Sequence, residues 1–567
     1  MRLIFYDFEV FQNIDWWCVV LIDYETRMRK IIINDAEELK RIYLKHKDDI
    51  FIGYNSRYYD QYIFKAILLG MNPSVVNKYM IEYGIPGYQV VSRGNQLPLN
   101  NFDISTGFHS LKQLEGFLGD DIRESSVPFD TSEPMEWNEE DEVISYCIHD
   151  VEETIRVFEA RKFEFDSQLG LIEAFNLDFT HFNKTKAQLS AFILGAERQE
   201  HNDEFDITIV DCLNLSTYKD IQEWFENPDN LDYSNKLKVN IYGVPHILGF
   251  GGIHGAIAKY KDDGFFVMSD IASMYPATMI NFGFLSRNVV NPERYRQIRD
   301  DRIVLKHNGD PRQGAYKIVL NGTYGASKDK YNPLYDPLMA NNVCINGQLL
   351  IVMLLEMLEQ RLGNRCELIQ SNTDGILVKL SSPADYDEYL AICKEWEVAT
   401  MYELEHDIYK TVIQKDVNNY IIIDEKGKTK SKGAYVKKLT PIDYDLPILN
   451  QALMNFFTKN IPVEETINNC TCLKDFQKIV KVSNKYLYAT HGEMRLKERV
   501  LRVFASKDEN AKGVFKCKTE PKLEKIGNTP ERCFILNHDI NDMEIPDELD
   551  REWYIEMAKK RVKDFIN

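Results

Sequence analysis

Two sets of acidic residues lie far apart along this chain: Asp7, Glu9, Asp60 and Asp150 near the N-terminus, and Asp270 and Asp374 well beyond them. A fold that gathers either set must also supply counter-charge, because two carboxylates ~4 Å apart repel by about 4 kcal/mol even at an effective dielectric of 20. Bound cations are the usual remedy. The chain is therefore expected to fold around two centres, each holding two divalent metal ions, and two such centres imply two phosphoryl-transfer reactions. Oxygen-only ligands suit Mg²⁺ and also admit Mn²⁺.

At 567 residues the chain is long enough for three or four domains. A hydrophobic content of 44% with 12% aromatics excludes a disordered polypeptide. No apolar run is expected to reach the ~18 residues of a membrane span, and MRLIFYDFEV lacks the pattern of a secretory signal. A cytoplasmic protein without membrane contact follows as an expectation. The ten cysteines include no CxxC pair, and Cys470-Thr-Cys472 is too isolated to build a zinc site, so reduced thiols are expected. The net charge of −20 argues against a polyanionic partner only on average. Residues 407–532 carry 24 Lys and Arg against 16 Asp and Glu, while the rest carries 44 against 72. A basic surface near the C-terminus can bind phosphates; a solvated basic face is the alternative.

Residues 2–8, WWCVVLID and KIIIN read as three strands, and residues 141–163 read as a helix with an acidic first turn. The glycine-rich LKVNIYGVPHILGFGGIHGAIAKY predicts close approach between strands, and GFFVMSDIASMYPATMI predicts a strand running into a turn. Residues 293–307 and 314–325 read as two helices joined by the turn Asn308-Gly309-Asp310-Pro311. ELIQSNTDGILVKL reads as strand, tight turn, strand, and REWYIEMAKKRVKDFI as a terminal amphipathic helix.

Asp7 and Glu9, two apart on a strand, share a face, and Tyr146 and Asp150 share a helical face at i, i+4. With Asn55 and Asp60 in GYNSRYYDQY, these residues resemble the four-carboxylate proofreading 3′-to-5′ exonucleases, which have a ribonuclease-H-like fold. The resemblance implies Asp7, Glu9, Asp60 and Asp150 as metal ligands and Tyr146 as the residue orienting the attacking water. Asn55, with Ser110 and Leu111 in GFHSLKQL, would hold a single-stranded 3′ end. Asp103 is a competing ligand, ranked lower because Asp60 carries the Asn55 and Tyr59 context. His149 adjoins Asp150 but is expected to point elsewhere.

Asp270-Ile-Ala-Ser-Met-Tyr275-Pro276 resembles motif A of the family B DNA polymerases, Lys317 to Gly325 resembles motif B, and Ser371-Asn372-Thr373-Asp374-Gly375 resembles motif C. The resemblance implies that Asp270, the Ile271 carbonyl and Asp374 hold the catalytic metals. Ser273 and Met274 would bind the triphosphate, and Tyr275 would exclude a 2′-hydroxyl. Lys317, Asn321 and Tyr324 lie on one helical face, where a cation can neutralise the transferring phosphoryl group. Arg302 and Lys306 on the facing helix could add positive charge; solvated helix surface is their alternative. Motif C usually reads Asp-Thr-Asp, so Asn372 removes one negative charge from the turn.

Gly249-Phe250-Gly251-Gly252 resembles the family's Tyr-x-Gly-Gly linker with glycine in place of tyrosine, and Lys415, Tyr420, Lys432 and Gly433 resemble elements that contact duplex DNA. The implied architecture is α/β and α+β multidomain: a ribonuclease-H-like exonuclease domain (1–190), then a right-hand polymerase. The polymerase comprises linker and first part of the palm (191–290), fingers hairpin (291–326), second part of the palm (327–440) and thumb (441–567). Intervals of 47 residues from Asp270 to Lys317 and 53 from Asn321 to Asp374 leave little room for the insertions of protein-primed relatives. A monomer of the compact, bacteriophage-like type is expected, extending an ordinary 3′-hydroxyl on primer-template DNA with deoxynucleoside triphosphates. The alternative is an exonuclease or DNA-binding replication accessory with a degenerate polymerase half. A purely structural DNA-binding protein would make both carboxylate sets accidental.

Overall fold

Leu3–Val10 (β1) alternates between two environments, as the period of a strand requires. Ile4, Tyr6, Phe8 and Val10 enter one hydrophobic core. Phe5 leaves the opposite face and meets Phe158 edge to face at 5.2 Å. In this computed structural model, which describes residues 1–566, β1 is central to a five-stranded sheet. Trp17–Asp23 (β2) and Arg29–Ile33 (β3) continue it antiparallel on one side; Ile50–Gly53 (β4) and Asn101–Asp103 (β5) continue it parallel on the other. The order is β3-β2-β1-β4-β5. Three helices carry the chemistry onto this sheet: Asp60–Leu68 (α1), Leu111–Leu118 (α2) and Trp137–Ala160 (α3). The last starts four residues before the expected Asp141, because Glu136 and Glu139 form a capping box that extends its first turn.

The chain divides into two units, and residues Met1–Asn183, Leu439–Leu449 and Glu464–Glu556 form the first. Its C-terminal portion adds a sheet of Lys478–Lys481, Val500–Ala505 and Cys533–Ile535, and a four-stranded sheet described below. Arg502 ties this portion to the N-terminal one. Its buried guanidinium donates to the carbonyls of Asp120 and His538, each at 2.6 Å, and burial pulls it down to about 10. Residues 441–567, expected as one thumb, therefore divide between the units. Most belong to the first, whereas Asn450–Val463 and the chain from Met557 belong to the second with Lys184–Lys438.

The second unit is built on a nine-stranded antiparallel sheet, ordered β14-β13-β12-β9-β11-β10-β8-β7-β6. Lys236–Ile241 (β6), Val244–Gly249 (β7) and His254–Ala256 (β8) come from the glycine-rich segment. There a Cβ on Gly255 would lie 2.2 Å from the His246 ring. Tyr260–Ile271 (β9), Cys366–Asn372 (β10) and Gly375–Leu380 (β11) form the centre. Leu404–Asp416 (β12), Asn419–Ile423 (β13) and Thr429–Lys432 (β14) complete the other edge. Met274–Asn281 (α4) follows β9, and Pro292–His307 (α5) with Gln313–Lys328 (α6) forms the expected helical hairpin.

Pro337–Leu362 (α7) corrects one expectation. With mean hydropathy 1.7, the segment is long and apolar enough to cross a membrane, yet 94% of its most apolar window is buried inside the protein. A helix apolar on all sides belongs in a core when protein surrounds it. Three of its polar side chains hold the strap 208–218: Asn342 and Asn346 accept the Thr208 and Val210 amides, and Glu356 accepts those of Ser216, Thr217 and Tyr218, while Gln348 is paired with Gly249.

Candidate active sites

The first site lies where β1 faces α3. Asp7 and Glu9 leave β1 on one side and, with Cys147 of α3, present ligand atoms within 4.8 Å of one another. Asp60 opens α1, almost wholly buried, and accepts the Phe8 amide at 3.2 Å. Asp150 is nearly as buried on α3, where Lys112 of α2 reaches its carboxylate at 2.5 Å and Glu115 at 3.0 Å. Tyr146, one turn before Asp150, lies under the same ammonium, 4.5 Å from the ring centroid. Asp7 and Glu9 are thus in direct proximity, Asp60 and Asp150 lie near enough to act on the Asp7 carboxyl, and Asp150 is bound to Lys112, which also holds Glu115.

Burial and mutual repulsion govern their ionisation. Burial first, then the neighbouring carboxylates, raise Asp7 and Glu9 well above the ordinary range. Asp60 is pushed up to about 7, chiefly by burial, against the opposing pull of the Phe8 amide. Burial likewise raises Asp150 while Lys112 draws it back. Five acidic groups against one ammonium leave an excess of negative charge that divalent cations would relieve, and carboxylate oxygens suit Mg²⁺. The residues fit the group.

Around this pocket, Asn55 adopts a left-handed φ of 59° and gives its amide to Asp103 at 2.9 Å. Asp103 also accepts the Arg57 and Ser105 amides, which ties it to the loop. Ser110 caps α2 in a capping box with Gln113, and Leu111 is buried. His149 meets the Asp121 carbonyl at 3.2 Å but, against expectation, also faces the acids: it lies 3.8 Å from Glu115, and with Glu115 and Asp150 it presents ligand atoms within 4.8 Å of one another. Lys112 and Glu115 are the residues that sequence reasoning missed. The visible signal was the helix start at Ser110, which sets Lys112 and Glu115 three apart on one face. Because Lys112 opposes the upward shift of Asp150, Lys112→Met should raise the Asp150 carboxyl further. Carbon-13 NMR titration of the carboxyl groups in wild type and variant measures the shift.

The second site lies at the end of β9. Strand register sets Asp270 opposite Gly375 on one side and Glu405 on the other. The Ile271 amide donates to the Asp374 carbonyl at 2.8 Å, so the two aspartates of distant segments become neighbours. Both acidic turns use a left-handed residue other than glycine: Ser273 at φ 53° and Thr373 at φ 60°. A cavity of about 250 Å³ opens onto Asp270, Asn372, Asp374, Tyr420, Lys430 and Lys432. Burial, then Asp374, raises the Asp270 carboxyl, and burial raises Asp374; Lys430 opposes both shifts and Lys432 the second. Two carboxylates and two lysines line the cavity, so their charges balance, and the Asp270 and Asp374 oxygens are of the type that divalent cations accept.

Asn372 is occupied locally. Its Oδ1 pairs with His254 Nδ1 at 3.1 Å and its amide nitrogen approaches the Val417 carbonyl at 3.5 Å, a donor role that aspartate could not fill. Tyr275 stacks on Tyr324 with centroids 4.0 Å apart, and Met274 seats against Gly347 of α7. Arg302 reaches across from α5 to the Ser273 hydroxyl at 3.3 Å. Lys306 is exposed on α5, as are Lys317 and Asn321 on α6. Gly251 and Gly252 run beside the Thr373 turn, whose amide donates to Ile253, and Gly252 has φ 144°. Lys415 lies over the Tyr435 ring at 4.7 Å. Gly433, at φ 102°, lets β14 approach Asn418, where a Cβ would stand 2.3 Å from the carbonyl oxygen. Lys430, Glu405 and His254 escaped the sequence reading, because only strand pairing brings them to the site.

No protein-family model matches this chain, and no curated protein matches it. Among solved structures the chain is similar to the family B DNA polymerase from the hyperthermophilic archaeon Pyrobaculum calidifontis, at 14% sequence identity and a TM-score of 0.43, over 100% of this chain and 78% of that one.

Proposed function

We propose that this protein is a template-directed DNA polymerase with a 3′-to-5′ proofreading exonuclease. One observation carries the reading: the hydrogen bond from the Ile271 amide to Asp374, which sets two distant aspartates side by side above a cavity lined by Lys430 and Lys432. In that cavity Asp270 and Asp374 would hold divalent metal ions, which supply charge stabilisation to phosphoryl transfer when bound. Arg302 fixes the Ser273 turn, where a triphosphate would meet Met274 and the exposed Lys317, Asn321 and Lys306. The Tyr275 and Tyr324 stack forms a rigid floor suited to excluding a 2′-hydroxyl. Primer-template duplex would lie against Lys415, Tyr420, Lys432 and Gly433, with Gly251 and Gly252 flanking the Thr373 turn.

The sheet order β3-β2-β1-β4-β5, with Asp7 and Glu9 on its central strand, supports a ribonuclease-H-like exonuclease. Asp7, Glu9, Asp60 and Asp150 would hold its metals, Tyr146 would orient water, and Asn55, Ser110 and Leu111 would hold the single-stranded 3′ end. Asn372 gives the second reading its one supporting observation, since a motif with a single aspartate binds metal more weakly; an exonuclease with a degenerate polymerase half would follow. Purified protein with Mg²⁺ and a recessed primer decides between them. Extension to the template end with all four deoxynucleoside triphosphates, and shortening without them, is the expected result. Shortening under both conditions would favour the second reading.

A further inference from the structure

A cavity of about 450 Å³ opens in the first unit between the loop at Ser125 and Ser126 and the four-stranded sheet of its C-terminal portion. That sheet is ordered Met494–Leu496, Tyr488–His491, Val514–Thr519, Lys522–Lys525. Arg495 stands opposite Thr490, so it shares a face with Tyr488 and covers the tyrosine ring at 4.1 Å. Lys497, two residues on, is exposed at the same rim, beside the half-exposed Leu487. Among the described residues neither Arg495 nor Lys497 forms an ion pair, whereas Arg499 is spent on the Tyr486 and Leu487 carbonyls. The nearest acid on the loop side, Glu142, is held by the amide and hydroxyl of Ser126 at 2.7 and 2.5 Å.

The cavity adjoins the helix that carries Tyr146 and Asp150. Glu142 lies one turn before Tyr146 on α3, and Phe129, next to the cavity residue Pro128, has its ring 6.4 Å from that of Tyr146. Unpaired cations beside an aromatic ring inside a concavity are what a single strand needs, with phosphates on the cations and a base on the ring. A duplex presents a convex backbone with its bases already stacked and cannot enter. We infer that Arg495, Lys497 and Tyr488 form a binding subsite for single-stranded nucleic acid upstream of the exonuclease carboxylates. The inference rests on the exonuclease reading for its direction, but the binding itself does not require hydrolysis.

The test uses the full chain, a fluorescein-labelled fifteen-nucleotide oligo(dT) and EDTA, read by fluorescence anisotropy across a salt series. Arg495→Ala with Lys497→Ala should weaken binding about tenfold and lower the salt slope by about 1.4, the loss of two phosphate contacts on a single strand. The charge-retaining pair Arg495→Lys with Lys497→Arg should bind as wild type, which separates charge from folding. Unchanged affinity in the double alanine variant overturns the subsite. Degradation with Mg²⁺ is scored separately. If wild type degrades nothing while the alanine pair still loses oligonucleotide, the exonuclease reading falls and the subsite stands; degradation by wild type with unchanged binding by the variant gives the reverse.

Discussion

Asp270→Ala and Asp374→Ala are each expected to lower primer extension by about a thousandfold or more while leaving strand degradation at the wild-type rate. The two carboxylates are neighbours at the end of β9 and in the turn after β10, and Asn372, bonded to His254, supplies no charge in their place. Loss of one carboxylate removes half of the charge that would hold a metal, and preorganised charge of this kind is worth several kcal/mol of barrier. Asp7→Ala should do the opposite, abolishing degradation and sparing extension, because all four exonuclease carboxylates belong to the first unit and Asp270 and Asp374 to the second. Paired extension and degradation rates on one primer-template measure both. Equal loss of the two activities in any single variant would contradict two independent sites.

Gly375→Ala is expected to reduce extension about a hundredfold without unfolding the protein. A Cβ there would lie 1.9 Å from Asp270 Oδ1, against an ordinary contact beyond 3.4 Å. Gly375 has no positive φ, so alanine fits its backbone, and the main penalty falls on the Asp270 side chain, with a lesser one on the Ser269 carbonyl at 3.2 Å. That carboxylate must move by more than 1 Å, and a displacement of about that size in a catalytic group costs on the order of 10² in rate. Stability should fall by about 1–3 kcal/mol, as for overpacking in a tight site. Single-turnover extension and urea denaturation of the variant separate the two effects. Extension at the wild-type rate would show that Asp270 is not held in its working position.

Several parts of both sites are legible without coordinates because they are set within one element. The Asp7 and Glu9 pair follows from the two-residue period of β1, and the Tyr146 and Asp150 pair from the helical turn of α3. The hairpin of α5 and α6 follows from its Asn-Gly-Asp-Pro turn, and the strands flanking Thr373 from their β-branched runs. The capping box at Glu136, which moved the start of α3, depends on side chains that periodicity does not weigh. α7 does not read as one apolar run because asparagines and a glutamine interrupt it, although in the fold Asn342 and Asn346 hold the strap 208–218 and Gln348 holds Gly249. The thumb was inferred from position and charge, and neither reports which core a segment joins; Arg502 and its carbonyl partners draw most of it into the first unit.

Sequence by itself determined which of the candidate residues share a face inside a single strand or helix, since backbone geometry repeats every two or 3.6 residues whatever surrounds it. Tertiary structure alone decided that Lys112 meets Asp150, that Phe8 binds Asp60, and that Gly375 makes room for Asp270. Those encounters span 38, 52 and 105 residues of chain, and they depend on sheet register and helix packing, which only the sum of many distant contacts can fix.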